Sequence, residues 1–305
     1  MIGVIGIGNM GLAMALRLRD GGHAVAVRDI DPAAEAAAAA AGAEICATPA
    51  ALAERCSLII VAVVDAAQTQ AVLFGENGVA AALLRRRTDA GSGSGSDTTD
   101  TTDTAGTPAV MLCPTISPQA VEAAAAGLAA LGVACLDAPM SGGPVRARDG
   151  SMSLMVACDD AAFARWQPVL AHLASRLFRV GTQPGDGART KLVNNLLAAI
   201  NLAGAAEALQ LAEALGLDAA RTLDVIEQSS GQSWIGTDRA RRALAGDATP
   251  RAHMTLLAKD SALALAAAQG TGLALPLGHD AAAAFAQACQ AGLAGADDSA
   301  LWRRR

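Results

Sequence analysis

The sequence predicts an α/β fold: a doubly wound, mainly parallel sheet followed by an all-α C-terminal domain, the two joined by a long helix. Three observations carry this reading. The first half alternates short apolar runs, rich in β-branched residues, with longer Ala/Leu/Glu/Arg-rich stretches of helical spacing. A glycine-rich turn, Gly6, Gly8 and Gly11, sits between the first apolar run and the first amphipathic one. From Gly187 to about Gly292 almost every segment reads as helix.

Taken in order, "IGVIGI", "HAVAVRD", "CSLIIVAV", "PAVMLC" and "GVACLDA" are the strands of the alternating half. Strands separated by helices require crossover connections, and these cover both faces of a parallel sheet. "SMSLMVAC", after Gly150, and "RLFRVG" are further strand candidates. "GARTKLVNNLLAAINLAGAAEALQLAEALG" runs from Gly187 to Gly216 with one interior glycine, long for a globular helix and suited to a spine between domains. The boundary falls near 182, giving domains 1–182 and 183–305. One stretch breaks the pattern. Thr88–Pro108, with its Gly/Ser alternation and Thr/Asp repeats, cannot bury a core and reads as a flexible surface insertion before a strand.

Composition excludes several classes. A net charge of −6 over 305 residues leaves no basic footprint for nucleic acid, and the clusters Arg85–Arg87 and Arg303–Arg305 read as solvated helix ends. Six cysteines lacking any C-x-x-C spacing fit buried, reduced thiols of a cytoplasmic protein. The four histidines show no metal-ligand spacing. No basic region precedes the first apolar run, so no signal peptide is expected. The long apolar runs are interrupted by Gly, Asn, Glu or Gln and read as buried helices, not membrane spans.

The glycine turn is a G-x-G-x-x-G that follows a strand, opens a helix and has Asp29 at the end of the next strand. That context is the dinucleotide-binding fingerprint: Gly6 permits the tight turn, Gly8 lets a pyrophosphate approach the backbone, and Gly11 lets the helix pack close to the strand. Asp29 is placed to accept hydrogen bonds from a ribose diol and to repel a 2′-phosphate, which favours NAD over NADP. Arg28 alternates to the other side of the strand, and Asp31 before Pro32 is the better helix cap. Two further stretches carry chemistry. Ser141-Gly142-Gly143 frees backbone amides and a hydroxyl for a carboxylate, although a structural turn explains these residues equally well. Lys191 and Asn195, four apart, share one face of the long helix, where a shielded lysine is able to exchange a proton with a substrate oxygen.

Together, in order and spacing, these motifs resemble the 3-hydroxyisobutyrate dehydrogenase family of β-hydroxyacid dehydrogenases over nearly the whole chain. "GVIGIGNMGLAMALRL" resembles its cofactor signature, "DAPMSGGPVRARDGSMSLMV" its substrate signature and "GDGARTKLVNN" its catalytic one. "LLAKDSALALAAA" resembles the late lysine-aspartate motif at Lys259 and Asp260, and "PTISPQAVE" the segment whose threonine reaches the cofactor. The resemblance implies a Rossmann domain, a connecting helix, an all-α domain that forms dimers or tetramers, and hydride transfer between nicotinamide and a short hydroxy acid. It implies Lys191 as catalytic acid/base with Asn195 orienting the substrate, and Ser141, Gly142, Gly143, Asn194 and Trp234 as substrate-binding. Gly6, Ile7, Gly8, Asn9, Met10, Gly11, Asp29, Ile30, Val63, Val64, Asp65, Thr115 and Lys259 are the residues expected around NAD. For Lys191 to act as a base near neutral pH, burial must lower its pKa from the free value of about 10.4.

The chain departs from the family pattern in the Thr88–Pro108 insertion, in Pro114 where serine is common, and in Asp65 where a neutral residue is usual. "SSGQSW", Ser229–Trp234, resembles a stretch of the L-threonate dehydrogenase branch, and "DDSAL", Asp297–Leu301, resembles one shared with tartronate semialdehyde reductases. The expected substrate is therefore a C3–C4 sugar acid, with L-threonate ahead of tartronate semialdehyde (2-hydroxy-3-oxopropionate) and of 3-hydroxyisobutyrate. A catalytically silent cofactor-binding module is the rival reading, and retention of Lys191 argues against it.

Overall fold

The computed structural model describes residues 1–91 and 108–303, which form two compact units, Met1–Lys191 and Leu192–Arg305. The first is built on β1 (Ile2–Ile5), α1 (Asn9–Asp20), β2 (Val25–Arg28), α2 (Pro32–Ala40), β3 (Glu44–Ile45), α3 (Pro49–Ala53), β4 (Leu58–Val61), α4 (Ala66–Phe74), α5 (Val79–Gly91), β5 (Ala109–Leu112), α6 (Pro118–Ala129) and β6 (Ala134–Asp137). The strands lie in the order β3-β2-β1-β4-β5-β6, and all neighbours are parallel. This is the doubly wound dinucleotide-binding order, with its switch point between β1 and β4. The chain continues through β7 (Met140–Ser141), α7 (Gly143–Asp149), β8 (Ser153–Ala157), α8 (Asp160–Leu173) and β9 (Arg176–Gly181). β8 runs antiparallel to β6 and β7 and parallel to β9, so the sheet is mixed at this end.

Alternating residues of the central strands feed two cores. Val4, Leu58, Ile60 and Met111 meet α1 and α8 through Met14, Leu18, Trp166 and Leu170 on one face. Ile5, Ile59, Val61 and Leu112 meet α3, α4 and α6 through Leu52, Leu73, Val121 and Leu128 on the other. With both faces covered, the strands β1, β4 and β5 are buried throughout, which is why they read as continuous apolar runs.

Two expectations are corrected here. Residues 88–91 of the expected insertion continue α5 and Pro108 leads into β5, while 92–107 lie outside the described residues. Arg85 lies inside α5 and pairs with Glu54 at 2.6 Å, and Arg303 donates to the Ala243 carbonyl at 3.0 Å, so neither is only a solvated helix end.

α9 (Asp186–Ala214) begins in the first unit and ends in the second, which continues through α10 (Ala219–Glu227), α11 (Trp234–Leu244), α12 (Met254–Ala268), α13 (Pro276–Ala288) and a closing 3₁₀ turn, Asp298–Arg303. α9 is long and apolar enough to cross a membrane by length and composition alone. Its Ala199, Leu202 and Ala206 nevertheless pack with Met254, Leu257 and Phe285 in the core of the helical unit. Helix starts follow local chemistry: Asp31, Thr48, Ser117, Asp218 and Ser233 each accept a first-turn N–H as N-cap.

The "DDSAL" stretch does structural work in this unit. Asp297 accepts from Arg242 at 3.0 Å and from the Arg251 N–H at 2.8 Å, and Asp298 pairs with Arg239. Burial pushes the Asp297 carboxyl up, but hydrogen bonds from Ser299 and from the N–H groups of Arg251 and Ala252 outweigh it and hold the pKa well below its ordinary value of 3.8. Because the folded-state pKa is depressed, this stabilisation is complete above pH 3.8 and is lost as pH falls below it. Asp297→Ala leaves the buried Arg242 guanidinium with only the Thr249 carbonyl at 2.7 Å and Asp247 at 3.4 Å, and strips the Arg251 and Ala252 N–H groups of their acceptor. It is expected to cost about 3 kcal/mol, read as a lower thermal midpoint at pH 7; an unchanged midpoint contradicts the assignment.

Candidate active site

At the switch point α1 lies against the ends of β1 and β4. Gly6 adopts φ +87°, and a Cβ there would sit 2.8 Å from the Ala62 backbone. A Cβ on Gly11 would sit 1.9 Å from the Gly6 carbonyl oxygen. Gly8 is the N-cap of α1 with no side-chain cap, and a Cβ on it meets nothing within 4 Å. Among the described residues, the opening turn Asn9, Met10 and Gly11 therefore presents main chain to open space. That uncapped helix start fits a dinucleotide pyrophosphate.

Asp29 closes one side of this turn. Its Oδ2 accepts the Ile7 N–H at 2.6 Å and its Oδ1 accepts the Asp31 N–H at 2.9 Å, leaving each oxygen further acceptor capacity for a ribose diol. The Arg28 guanidinium is held at 2.8 Å by Glu35, which also accepts the Asp29 N–H at 3.0 Å. Ile30 is almost wholly exposed. Beyond β4, Val63 is half-buried and Val64 exposed, and the Val64 N–H donates to Gln68 at 3.1 Å. Asp65 caps α4 through the Gln68 N–H at 2.8 Å, a local reason for an acidic residue at this position. Thr115 is half-buried in the loop between β5 and α6.

Ser141 ends β7, paired in register with Ser153, and Gly142 and Gly143 follow at φ +133° and +75°. These left-handed conformations suit glycine, and they aim the start of α7 from the sheet edge. Four residues upstream, Asp137 ends β6. It is 1 % exposed, and its Oδ2 accepts the N–H groups of Gly185 at 2.8 Å and Ala188 at 3.0 Å in the opening turn of α9. Burial pushes this carboxyl up to about 6 against the N–H groups of Ala188, Gly185 and Gly187. Lys191 follows on α9 at 7 % exposure. Burial raises the thiol pKa of the neighbouring Cys113, Cys135 and Cys158, so none offers a thiolate near neutral pH.

In the helical unit a chain of polar contacts runs through Asn195. Its Oδ1 accepts from Asn194 at 2.9 Å, and its Nδ2 donates to Asp260 at 2.6 Å. Asp260, 5 % exposed, also pairs with Lys259 at 2.9 Å. The amide of Asn195 is thus held at both ends, with one N–H and one lone pair left over. Trp234 opens α11 half-exposed, with the Arg239 guanidinium 6.0 Å from its ring centroid. Asp260 and Asp137 were given no role from sequence. Their signals were present, as an aspartate directly after Lys259 and an aspartate ending a strand just before Ser141. Only the fold shows what each accepts.

The chain matches two family models: the NAD-binding domain of 6-phosphogluconate dehydrogenase over residues 1–181, and the NAD-binding domain of NADP-dependent 3-hydroxyisobutyrate dehydrogenase over 185–304. It is 37 % identical over 300 residues to an L-threonate dehydrogenase of Cupriavidus necator, covering 98 % of this chain and 94 % of that one. It is 32 % identical over 275 residues to a 2-hydroxy-3-oxopropionate reductase of Escherichia coli K12, covering 90 % and 86 %. A crystal structure of a 3-hydroxyisobutyrate dehydrogenase from Salmonella typhimurium superposes with a TM-score of 0.85 at 34 % identity, covering 99 % and 98 %. With the nucleotide-binding strand order, these matches over both units place the chain in the 3-hydroxyisobutyrate dehydrogenase family, whose members are NAD(P)-dependent oxidoreductases acting on CH–OH groups.

Proposed function

We propose that the protein oxidises a short polyhydroxy acid with NAD, that L-threonate is the substrate, and that Lys191 is the acid/base. The observation that carries the reading is a lysine and an amide, both buried, one turn apart on α9, with the amide fixed by Asp260.

The division of labour follows from the residues. Gly6, Ile7, Gly8, Asn9, Met10 and Gly11 hold the pyrophosphate at the start of α1, and Asp29 accepts from the ribose diol. Ile30, Val63, Val64, Asp65, Thr115 and Lys259 line the rest of the cofactor. When bound, the nicotinamide accepts hydride from the carbinol carbon or returns it. Ser141, Gly142 and Gly143 hold the substrate carboxylate through main-chain N–H groups and a hydroxyl. Lys191 takes the hydroxyl proton during oxidation and gives it back during reduction. Asn195 orients that hydroxyl, and Asp260 keeps the Asn195 amide turned the right way. Asn194 and Trp234 complete the substrate side. Asp29 at the glycine turn, with Arg28 tied to Glu35, favours NAD over NADP.

The similarity to L-threonate dehydrogenases over 98 % of the chain supports the substrate. A site built for hydroxyl groups rejects an analogue that lacks one, because its own polar groups are left unpaired. The protein acts in the cytoplasm as a homo-oligomer. Val193, Leu197 and Leu211 are exposed apolar residues on α9, with Leu215 just past its end, which supports burial against a second copy.

Three measurements test this reading. Lys191→Ala is expected to lower kcat by about 10²–10⁴-fold while NADH affinity stays intact; near-normal kcat refutes the acid/base role. Comparison of kcat/KM for L-threonate, D-glycerate and 3-hydroxyisobutyrate is expected to rank L-threonate first, and a lead for 3-hydroxyisobutyrate overturns the sugar-acid assignment. Wild type is expected to prefer NAD, and Asp29→Ala to narrow its gap to NADP. A wild-type preference for NADP removes Asp29 from its role.

A further inference from the structure

We infer that Asp137 is a positioning residue: from inside the fold it sets where Lys191 stands relative to the Ser141–Gly143 turn. The inference rests on the catalytic reading of Lys191 given above.

Asp137 is tied to both pieces. Toward the turn only three residues separate it from Ser141, and they are pinned: the Ala138 N–H donates to the Leu112 carbonyl at 2.8 Å, and the Pro139 carbonyl accepts the Met155 N–H at 3.0 Å. Ser141 is itself paired with Ser153. Toward the lysine, the carboxylate accepts the Gly185 and Ala188 N–H groups, and Ala188 stands three residues before Lys191, on the same side of the helix. Gly187 lies flush against the same group: a Cβ there would come 2.8 Å from Asp137 Cγ and 2.8 Å from its carbonyl oxygen. One buried carboxylate thus fixes both the segment that leads to the carboxylate-holding turn and the helix that carries the proton-transfer group.

Capping alone does not explain an aspartate here. A neutral asparagine also accepts N–H groups at a helix start, without a buried charge. Burial is the main influence on this carboxylate, opposed by the N–H groups of Ala188, Gly185 and Gly187 and reinforced by the like charge of Asp186. The carboxylate in turn raises the thiol pKa of Cys113, Cys135 and Cys158. With the folded pKa at about 6, above the ordinary 3.8, the ionised carboxylate lowers stability above pH 6, and stability rises as pH falls from 6 toward 3.8. A charge kept at the expense of stability marks a residue whose job is geometry. An ionised acceptor makes stronger hydrogen bonds to N–H groups than an amide oxygen does, so it holds the Gly185 and Ala188 N–H groups at the start of α9 more tightly.

The test uses the full-length enzyme with NAD and the best hydroxy acid of the panel. Asp137→Asn is expected to lower kcat about 10- to 100-fold, the usual effect of displacing a reacting group by about 1 Å, and to raise KM for the hydroxy acid. NADH affinity, read by fluorescence titration, stays unchanged, and the thermal midpoint at pH 7 does not fall. Gly187→Ala presses on the same contact from the helix side and is expected to lower kcat in the same way. It decides the question if the asparagine variant fails to fold. A lower thermal midpoint with full kcat in the folded variants makes Asp137 a purely structural cap and overturns the inference. If Lys191→Ala is inactive while Asp137→Asn and Gly187→Ala keep full kcat, this inference falls alone. If Lys191→Ala retains full kcat, the catalytic reading falls and takes this inference with it.

Discussion

α1 lies against the end of β1 only because two side chains are missing. A Cβ on Gly11 would come 1.9 Å from the Gly6 carbonyl oxygen and force the helix off the sheet, while a Cβ on Gly6 would run into the Ala62 backbone beside it. That contact sets the direction of α1 and leaves its uncapped N–H groups facing the gap between β1 and β4, where the strand order reverses. Asp29 ties the end of β2 into the same turn through Ile7. The glycine turn is therefore assembled by main chain and one carboxylate. Such a turn offers preorganised N–H groups and a helix dipole to an anion.

Elsewhere each unit takes carboxylates and amides out of water. Asp137, Asp260, Asp297 and Asp298 are all buried, and each has defined partners: main-chain N–H groups for the first, an amide and a lysine for the second, arginines for the other two. A buried carboxylate is costly unless its acceptor capacity is used, so each of these residues fixes its neighbours firmly. The difference lies in what is fixed. Asp297 and Asp298 fasten the closing turn of the helical unit, whereas Asp260 and Asp137 hold groups next to Asn195 and Lys191.

Much of this was legible in the sequence because the signals were local. Strands buried on both faces had to be continuous apolar runs, and the glycines of the first turn had to lie at fixed spacing. β3 escaped notice because Glu44–Ile45 is two exposed residues with no pattern to read. β7 escaped because it too is only two residues, here half-buried, and it placed Ser141 at a strand end instead of within the turn read from its glycines. The Asp297–Leu301 stretch was read through its resemblance to relatives, and its contacts are with Arg242 and Arg239, which lie far away in sequence. Asp137 and Asp260 carried no spacing signal of their own. Apart from Lys259 beside Asp260, the hydrogen-bond partners that give them meaning lie 48 to 65 residues away, a separation that only the fold closes.

The central claim is that the buried lysine of α9 faces the reacting hydroxyl while the glycine turn after β7 holds the acid. A crystal structure of the enzyme with NAD and L-threonate tests it most directly. The account predicts Lys191 Nζ within about 3.2 Å of the hydroxyl oxygen being oxidised, with the substrate carboxylate on Ser141, Gly142 and Gly143. A complex in which Lys191 binds the carboxylate, or in which the hydroxyl lies against another acid/base group, contradicts it.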